Sequence, residues 1–310
     1  MVEAVPSDVR ITADLVRALL KDQHPDLAEL PIELIDSGWD HVMARLGRDL
    51  CVRLPRRALG AGMIGNEQSF LAAYGAELPL PVPVPLRTGE PTTAYPYRWS
   101  VVPWLPGLPA TVAPPTDQHQ TAAMLGRFLG ALHRPAPADA PHNPYRGVPL
   151  ADRVSQSTGD GSLGTIEERL ARACPELHLD RGSLEHVVDQ ALAAPRWSGR
   201  PVWCHGDLHP RNLLVDDGVI NAVIDFSDVC GGDPAVDAIV AWLLLDPEVH
   251  GVLRHQTHSM DDHTWARGMG WAVHLSLTIY LGSDDPAFRA TAAEALRRLS
   301  SSGALLTHGG

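Results

Sequence analysis

Apolar residues recur at helical spacing near the start of the chain, at Val9, Ile11, Leu15, Val16, Leu19 and Leu20. With Ser7-Asp8 as a capping candidate and Pro25 as a stop, they predict a helix over residues 7–21. The period then shortens. Residues 32–35, 42–46 and 50–54 are short apolar runs broken at Asp36–Asp40 and Gly47–Asp49, the pattern of three strands in an antiparallel meander. A second helical stretch from Met63 to Tyr74 carries Ile64, Phe70, Leu71 and Tyr74 toward one packed face. The proline-rich run from Leu78 to Pro85 is too apolar for a loose linker, and its fixed φ values make it an extended edge segment. Tyr97 to Val102 reads as a further strand, left through the turn Pro103–Gly107.

From Thr116 onward the pattern is helical. Gln120–His133 is a clear helix, and residues 150–195 hold two or three more, interrupted by the Gly/Ser-rich segment Ser155–Gly164, which buries too little to be ordered. Leu213–Val215 and Val219–Ile224 flank Asp216-Asp217-Gly218 and predict a hairpin, because Asp-Gly supplies the positive φ of its turn. Helices are expected at Ala235–Leu245, Val249–His258, Asp262–Leu281 and Pro286–Leu299.

Chemistry concentrates around that hairpin. The stretch His205-Gly206-Asp207-Leu208-His209-Pro210-Arg211-Asn212 places an Asn five positions after an Asp. This D-x-x-x-x-N arrangement is that of a kinase catalytic loop, in which the Asp orients the acceptor hydroxyl and the Asn holds Mg²⁺. Past the hairpin, Ile224-Asp225-Phe226-Ser227-Asp228 offers a second oxygen ligand in Asp225, at the place of the metal-binding Asp of a kinase. The string His205-x-Asp207-x-His209 would also suit a metal hydrolase, but no further ligand cluster of comparable spacing accompanies it. Asp233, followed by Pro234, reads as a helix cap, and Asp237 as a tie between that helix and the loop.

With H-G-D-x-x-x-x-N, I-D-F-x-D and the continuation Gly232-Asp233-Pro234-Ala235-Val236-Asp237 in order, the chain resembles the aminoglycoside phosphotransferase family of small-molecule kinases. The resemblance implies an α+β, protein-kinase-like, two-lobed fold. Residues 1–102 would form a small antiparallel-sheet lobe that binds nucleotide, 103–107 a hinge, and 108–310 a larger, mostly helical lobe for catalysis and acceptor binding. It also implies Asp207 as catalytic base and Asn212 and Asp225 as Mg²⁺ ligands. A phosphate-covering loop falls at Ser37 and Gly38, and the phosphate-side cation is Arg53, paired with Glu67. Backbone groups around Val102, Trp104 and Leu105 would hold the purine of ATP or GTP. Two departures from protein kinases stand out: a single glycine in the phosphate loop, and Arg53 where those enzymes carry Lys. The strand end Arg53-Leu54-Pro55-Arg56 resembles an R-x-P-R variant within the family.

The implied reaction is transfer of a γ-phosphoryl group to a hydroxyl of a small molecule, first of all an aminoglycoside or related antibiotic. A kinase of a housekeeping metabolite, an amino alcohol or sugar, and a nucleotide-binding pseudokinase are the alternatives. A formal charge of −12 argues against nucleic acid as a partner and is compatible with a cationic acceptor. Asp233, Asp246, Asp261, Asp262, Asp284 and Asp285 are candidates for binding its amines, though each reads at least as well as a helix cap or solvated turn. No apolar run approaches the ~20 residues of a membrane span. Four cysteines without C-x-x-C spacing read as buried thiols, so the expected setting is the cytoplasm, as monomer or homodimer.

Overall fold

The computed structural model describes residues 7–35, 41–155 and 163–307. The expected phosphate-loop residues Ser37 and Gly38 lie outside the described residues, as does most of the segment Ser155–Gly164. The chain divides into two compact units, Met1–Pro106 with Val223–Val229, and Gly107–Ala222 with Cys230–Gly310.

The first unit begins with helix α1 (Ala13–Gln23), followed by strands β1 (Ile32–Ile35), β2 (His41–Leu46) and β3 (Leu50–Pro55), helix α2 (Ala58–Tyr74), and strands β4 (Arg87–Gly89) and β5 (Trp99–Pro103). The sheet is antiparallel with order β1-β2-β3-β5-β4. Side chains alternate across it. Ala44, Leu46, Val52, Leu54 and Val101 point to one face and pack with Val16, Leu19 and Leu20 of α1. Arg53 therefore points to the other.

Two helix boundaries differ from the sequence expectation. The cap of α1 is Thr12, whose hydroxyl accepts the Leu15 N–H; Asp8, expected there, instead accepts the N–H of Ala58 at the start of α2. A carboxylate at a helix N-terminus satisfies an orphan donor wherever the chain brings it, so the motif was right and the helix was another. Helix α2 starts five residues before Met63 because Gly60, Gly62 and Gly65 weaken its sequence signal without breaking the helix.

The second unit holds β6 (Leu108–Pro109), α3 (Gln118–Leu132), α4 (Leu150–Val154), α5 (Ile166–Leu177), α6 (Arg181–Ala193), β7 (Val202–Cys204), β8 (Leu213–Asp216), β9 (Val219–Val223), β10 (Cys230–Gly232), α7 (Ile239–Leu244), α8 (His250–His255), α9 (Asp262–Gly282) and α10 (Pro286–Thr307). Strands β6, β8 and β9 form one small sheet, and β7 and β10 another. The β8–β9 hairpin turns through Asp217 and Gly218, both at positive φ, as the sequence predicts. The run expected as one helix from Ala235 is a 3₁₀ turn, Pro234–Ala238, leading into α7. That turn brings Ala238 so close to Gly268 of α9 that a Cβ on the glycine would lie 2.6 Å from it. Helix α9 runs through the core, with Trp271, Ala272, Val273 and Leu277 fully buried. All four cysteines are buried and none forms a disulfide, and no helix among the described residues is long and apolar enough to cross a membrane.

Candidate active site

In the first unit the alternation of β3 sets Arg53 against Glu67 of α2 and against the segment Val223–Val229. The Arg53 Nη2 donates to Asp225 Oδ1 at 2.5 Å and to Ser227 Oγ at 2.6 Å, and lies 3.2 Å from Glu67 Oε2. The Glu67 contact is a close charge pair whose angles fall short of a hydrogen bond, since neither carboxylate oxygen has a hydrogen-bond partner. Ser227 Oγ in turn donates to Asp225 Oδ1 at 2.6 Å. Phe226 stacks on Phe70 of α2 at 5.7 Å and anchors the segment. Asp225 stands at φ 64°, a left-handed conformation that costs a non-glycine residue energy and that the packing on either side of it holds in place.

Charge explains the titration of this cluster. Burial pushes the Glu67 carboxyl up to about 7, opposed by Arg53 and helped by Asp225. Burial also works against an ionised Asp225, but Arg53 and His41 beside it, with the Ser227 and Arg53 hydrogen bonds, hold its carboxyl well below the ordinary range. Burial would lower Arg53, yet Glu67 and Asp225 outweigh it and the guanidinium is held more firmly protonated than usual. His41 is lowered to about 3, by burial first and then by Arg53.

In the second unit the catalytic-loop motif is hung on one buried carboxylate. Asp237, fully buried, accepts the backbone N–H groups of His205 and Gly206, each at 2.8 Å, and contacts His133 Nε2 at 3.1 Å. The His205 ring accepts the N–H of Asp207 through Nδ1 at 3.2 Å. Asn212 closes the loop by donating from Nδ2 to the Asp207 carbonyl at 2.9 Å, which commits its nitrogen and leaves Oδ1 as the end suited to a cation. The Asp207 carboxylate is gripped on both oxygens, by Arg146 Nη2 on Oδ1 and His209 Nε2 on Oδ2, each at 3.1 Å. His209 rests edge-on against Phe288 of α10, with ring centroids 4.6 Å apart.

The expected residues thus gather within each unit: Arg53, Glu67 and Asp225 in one, Asp207 and Asn212 in the other. Asn212 Oδ1 in the second unit and the Asp225 carboxylate in the first are each a hard oxygen donor of the kind Mg²⁺ selects. Of the residues expected near a hinge, Val102 lies in β5 opposite Cys51, and the Trp104 N–H donates to Asp49 O at 2.7 Å. The Trp104 ring carries Arg45 over its face at 4.5 Å. Leu105 is half-buried just beyond β5. Sequence reasoning missed Arg146, a lone arginine in a Pro- and Asn-containing loop, which has no local signal. It also missed the hydroxyl of Ser227, although that residue sits inside the quoted Asp225 motif.

Sheet, helices and loop define a two-lobed α+β phosphotransferase of the protein-kinase-like class. The chain belongs to the APH phosphotransferase enzyme family, whose model matches residues 31–271. Among solved structures it is similar to aminoglycoside 2'-phosphotransferase-IIIa in its GDP complex, with a TM-score of 0.62 and 16% identity over 94% of this chain and 99% of that one. It is also similar to the macrolide 2'-phosphotransferase MphH from Brachybacterium faecium, with a TM-score of 0.54 and 23% identity over 91% and 98%. At these identities the likeness carries the fold. No curated protein matches the chain.

Proposed function

We propose that this protein transfers the γ-phosphoryl group of ATP or GTP to a hydroxyl of a small molecule. The observation that carries the reading is the doubly gripped Asp207 carboxylate beside Asn212 on a loop fixed by Asp237. Asp207 is the group that takes the proton from the acceptor hydroxyl as its oxygen attacks, with His209 and Arg146 holding the carboxylate in place. Arg53, steadied by Glu67, faces the nucleotide phosphates. Asn212 and Asp225 are the residues that would hold Mg²⁺, which when bound neutralises phosphate charge. The solved relatives bound to GDP, and one bound to GDP and kanamycin, support a nucleotide donor and a hydroxylated acceptor.

An aminoglycoside is the acceptor the family resemblance favours, but the acidic residues offered for its amines are largely spent elsewhere. Asp233 chelates Arg267, Asp246 pairs with Arg298, Asp262 pairs with Arg254, and Asp261 and Asp285 cap helices. Asp284 is exposed. This favours the second reading, a metabolite or other hydroxylated acceptor without multiple amines. The test is nucleotide turnover with Mg²⁺, ATP or GTP, and a panel of acceptors. The expected result is acceptor-stimulated turnover that falls by roughly 10³-fold in Asp207→Ala while nucleotide binding persists. Near-normal turnover in that variant removes Asp207 as the base, and nucleotide binding without turnover toward any acceptor means a pseudokinase.

A further inference from the structure

Among the described residues, the second unit buries one arginine, Arg153, that no carboxylate pairs with. Helix α4 lies directly on α9: a Cβ on Gly270 would come within 2.5 Å of Leu150. Arg153 lies one turn from Leu150 on α4, and His274 one turn from Gly270 on α9. Arg153 is 5% exposed, yet its Nε and Nη1 are buried without any hydrogen-bond partner, and among the described residues no carboxylate comes within ion-pair distance of it. Its guanidinium stands 5.6 Å from the centroid of the Tyr145 ring. Arg169 of α5 is fully buried and hydrogen-bonded at every nitrogen: it donates to the carbonyls of Thr165 and His274, to the Thr278 hydroxyl, and through Nη2 to His274 Nδ1 at 3.1 Å.

That last bond settles the tautomer of His274. A guanidinium can only donate, so Nδ1 accepts and the ring proton sits on Nε2. His274 is fully buried and its Nε2–H has no acceptor. Burial, then the charges of Arg169, Arg153 and Arg146, hold this histidine far below its ordinary pKa. Buried donors left unmatched on two side chains are costly in a finished core and are what an anion requires. The group reaches the reacting carboxylate as well: Arg146 follows Tyr145 in the chain and grips Asp207 at 3.1 Å.

We infer that Arg153, His274 and Arg146 form an anion-recognition site, and that the acceptor carries a carboxylate, phosphate or sulfate group besides the hydroxyl that is phosphorylated. The word acceptor rests on the function proposed above; the anion site does not. A polycation would meet like charge here, so the site selects against amines as well as for anions.

The experiment measures melting temperature with ADP and Mg²⁺ at saturation, adding gluconate, glucose 6-phosphate, glucose or glucosamine to the wild type and to Arg153→Met. Gluconate and glucose 6-phosphate separate carboxylate from phosphate recognition, and ADP keeps the latter from reporting a nucleotide site. At least one anionic probe is expected to raise the wild-type melting temperature, and the neutral and cationic probes are not. Arg153→Met is expected to weaken the anionic probe roughly tenfold or more. Without probe it is expected to melt higher than the wild type, because it replaces an unpaired buried charge by an apolar side chain of similar length. A shift from glucosamine or glucose equal to that from the anions, no shift from either anion, an anion shift retained in Arg153→Met, or a lower unliganded melting temperature in that variant would each overturn the inference. If ADP itself produces no shift in the wild type, the phosphotransferase reading fails, while the anion comparison, repeated without nucleotide, still decides the site.

Discussion

Two buried arginines, Arg53 in the first unit and Arg153 in the second, solve the same problem in opposite ways. Both are about nine-tenths or more withdrawn from water. Arg53 has two carboxylates and a hydroxyl within 3.2 Å of one nitrogen, while Arg153 has an aromatic face and like-charged neighbours. A buried charge without a partner costs several kcal/mol, so a fold retains one where something outside the fold completes it. The contrast teaches that burial alone does not say what a buried arginine is held for. The difference lies in whether the protein's own acids close the circuit.

The largest effect that tests the closed half comes from removing Arg53. Arg53→Ala leaves Glu67 buried without its counter-ion and frees Asp225, and is expected to lower unfolding free energy by about 3–5 kcal/mol. Chemical denaturation measures it. Adding Glu67→Gln to the variant is expected to restore a large part of the loss, because a neutral amide no longer needs the guanidinium. If the single substitution costs less than ~1 kcal/mol, Arg53 is no more integrated into its surroundings than a surface ion pair and the comparison with Arg153 collapses.

A smaller, pH-dependent effect sharpens the picture of how strongly Arg53 fills its surroundings with positive charge. His41, 6% exposed, has its pKa lowered from the usual 6.5 to about 3 by burial and by Arg53. A depressed pKa gives stability that is present above pH 6.5 and lost as pH falls toward 3, at about 1.4 kcal/mol per pH unit within that window. His41→Gln removes the titration. Unfolding curves from pH 7.5 to 4.5 are expected to be flatter for the variant, and parallel curves would mean that His41 titrates normally.

The parts of this arrangement that could be read from the sequence share one property: they are local in the chain. Asp207 and Asn212 are five positions apart, and Asp225 follows a hairpin whose turn residues are diagnostic, so the motif and its scaffold were legible together. The meander was equally plain, since alternation and Gly-Arg-Asp turns are short-range signals. Arg153, Arg169 and His274 were not legible. They come from three helices, and α9 buries Thr264, Arg267 and Ser276 besides His274, so no local pattern singles the group out; α4 meets α9 at Leu150 and Gly270, and α5 meets it through the Arg169–His274 hydrogen bond. Asp8 failed in a related way: its capping chemistry was read correctly, but the helix it serves begins fifty residues later.

The smallest effect concerns Ser227, whose hydroxyl accepts from Arg53 and donates to Asp225. If the cluster were a sum of independent contacts, Ser227→Ala would cost about 1 kcal/mol, the ordinary worth of a hydrogen bond lost at a partly accessible site. A closed circuit predicts coupling instead: the hydroxyl helps hold Asp225 at its left-handed φ, so its loss should be felt through Arg53 as well. A double-mutant cycle with Arg53→Lys separates the two cases. An interaction energy above ~0.5 kcal/mol is expected, and additivity within a few tenths would show that Arg53 and Ser227 hold Asp225 independently. That outcome would reduce the first unit's cluster to separate pairs, and the contrast with the second unit would then rest on the number of partners around each arginine and not on their cooperation.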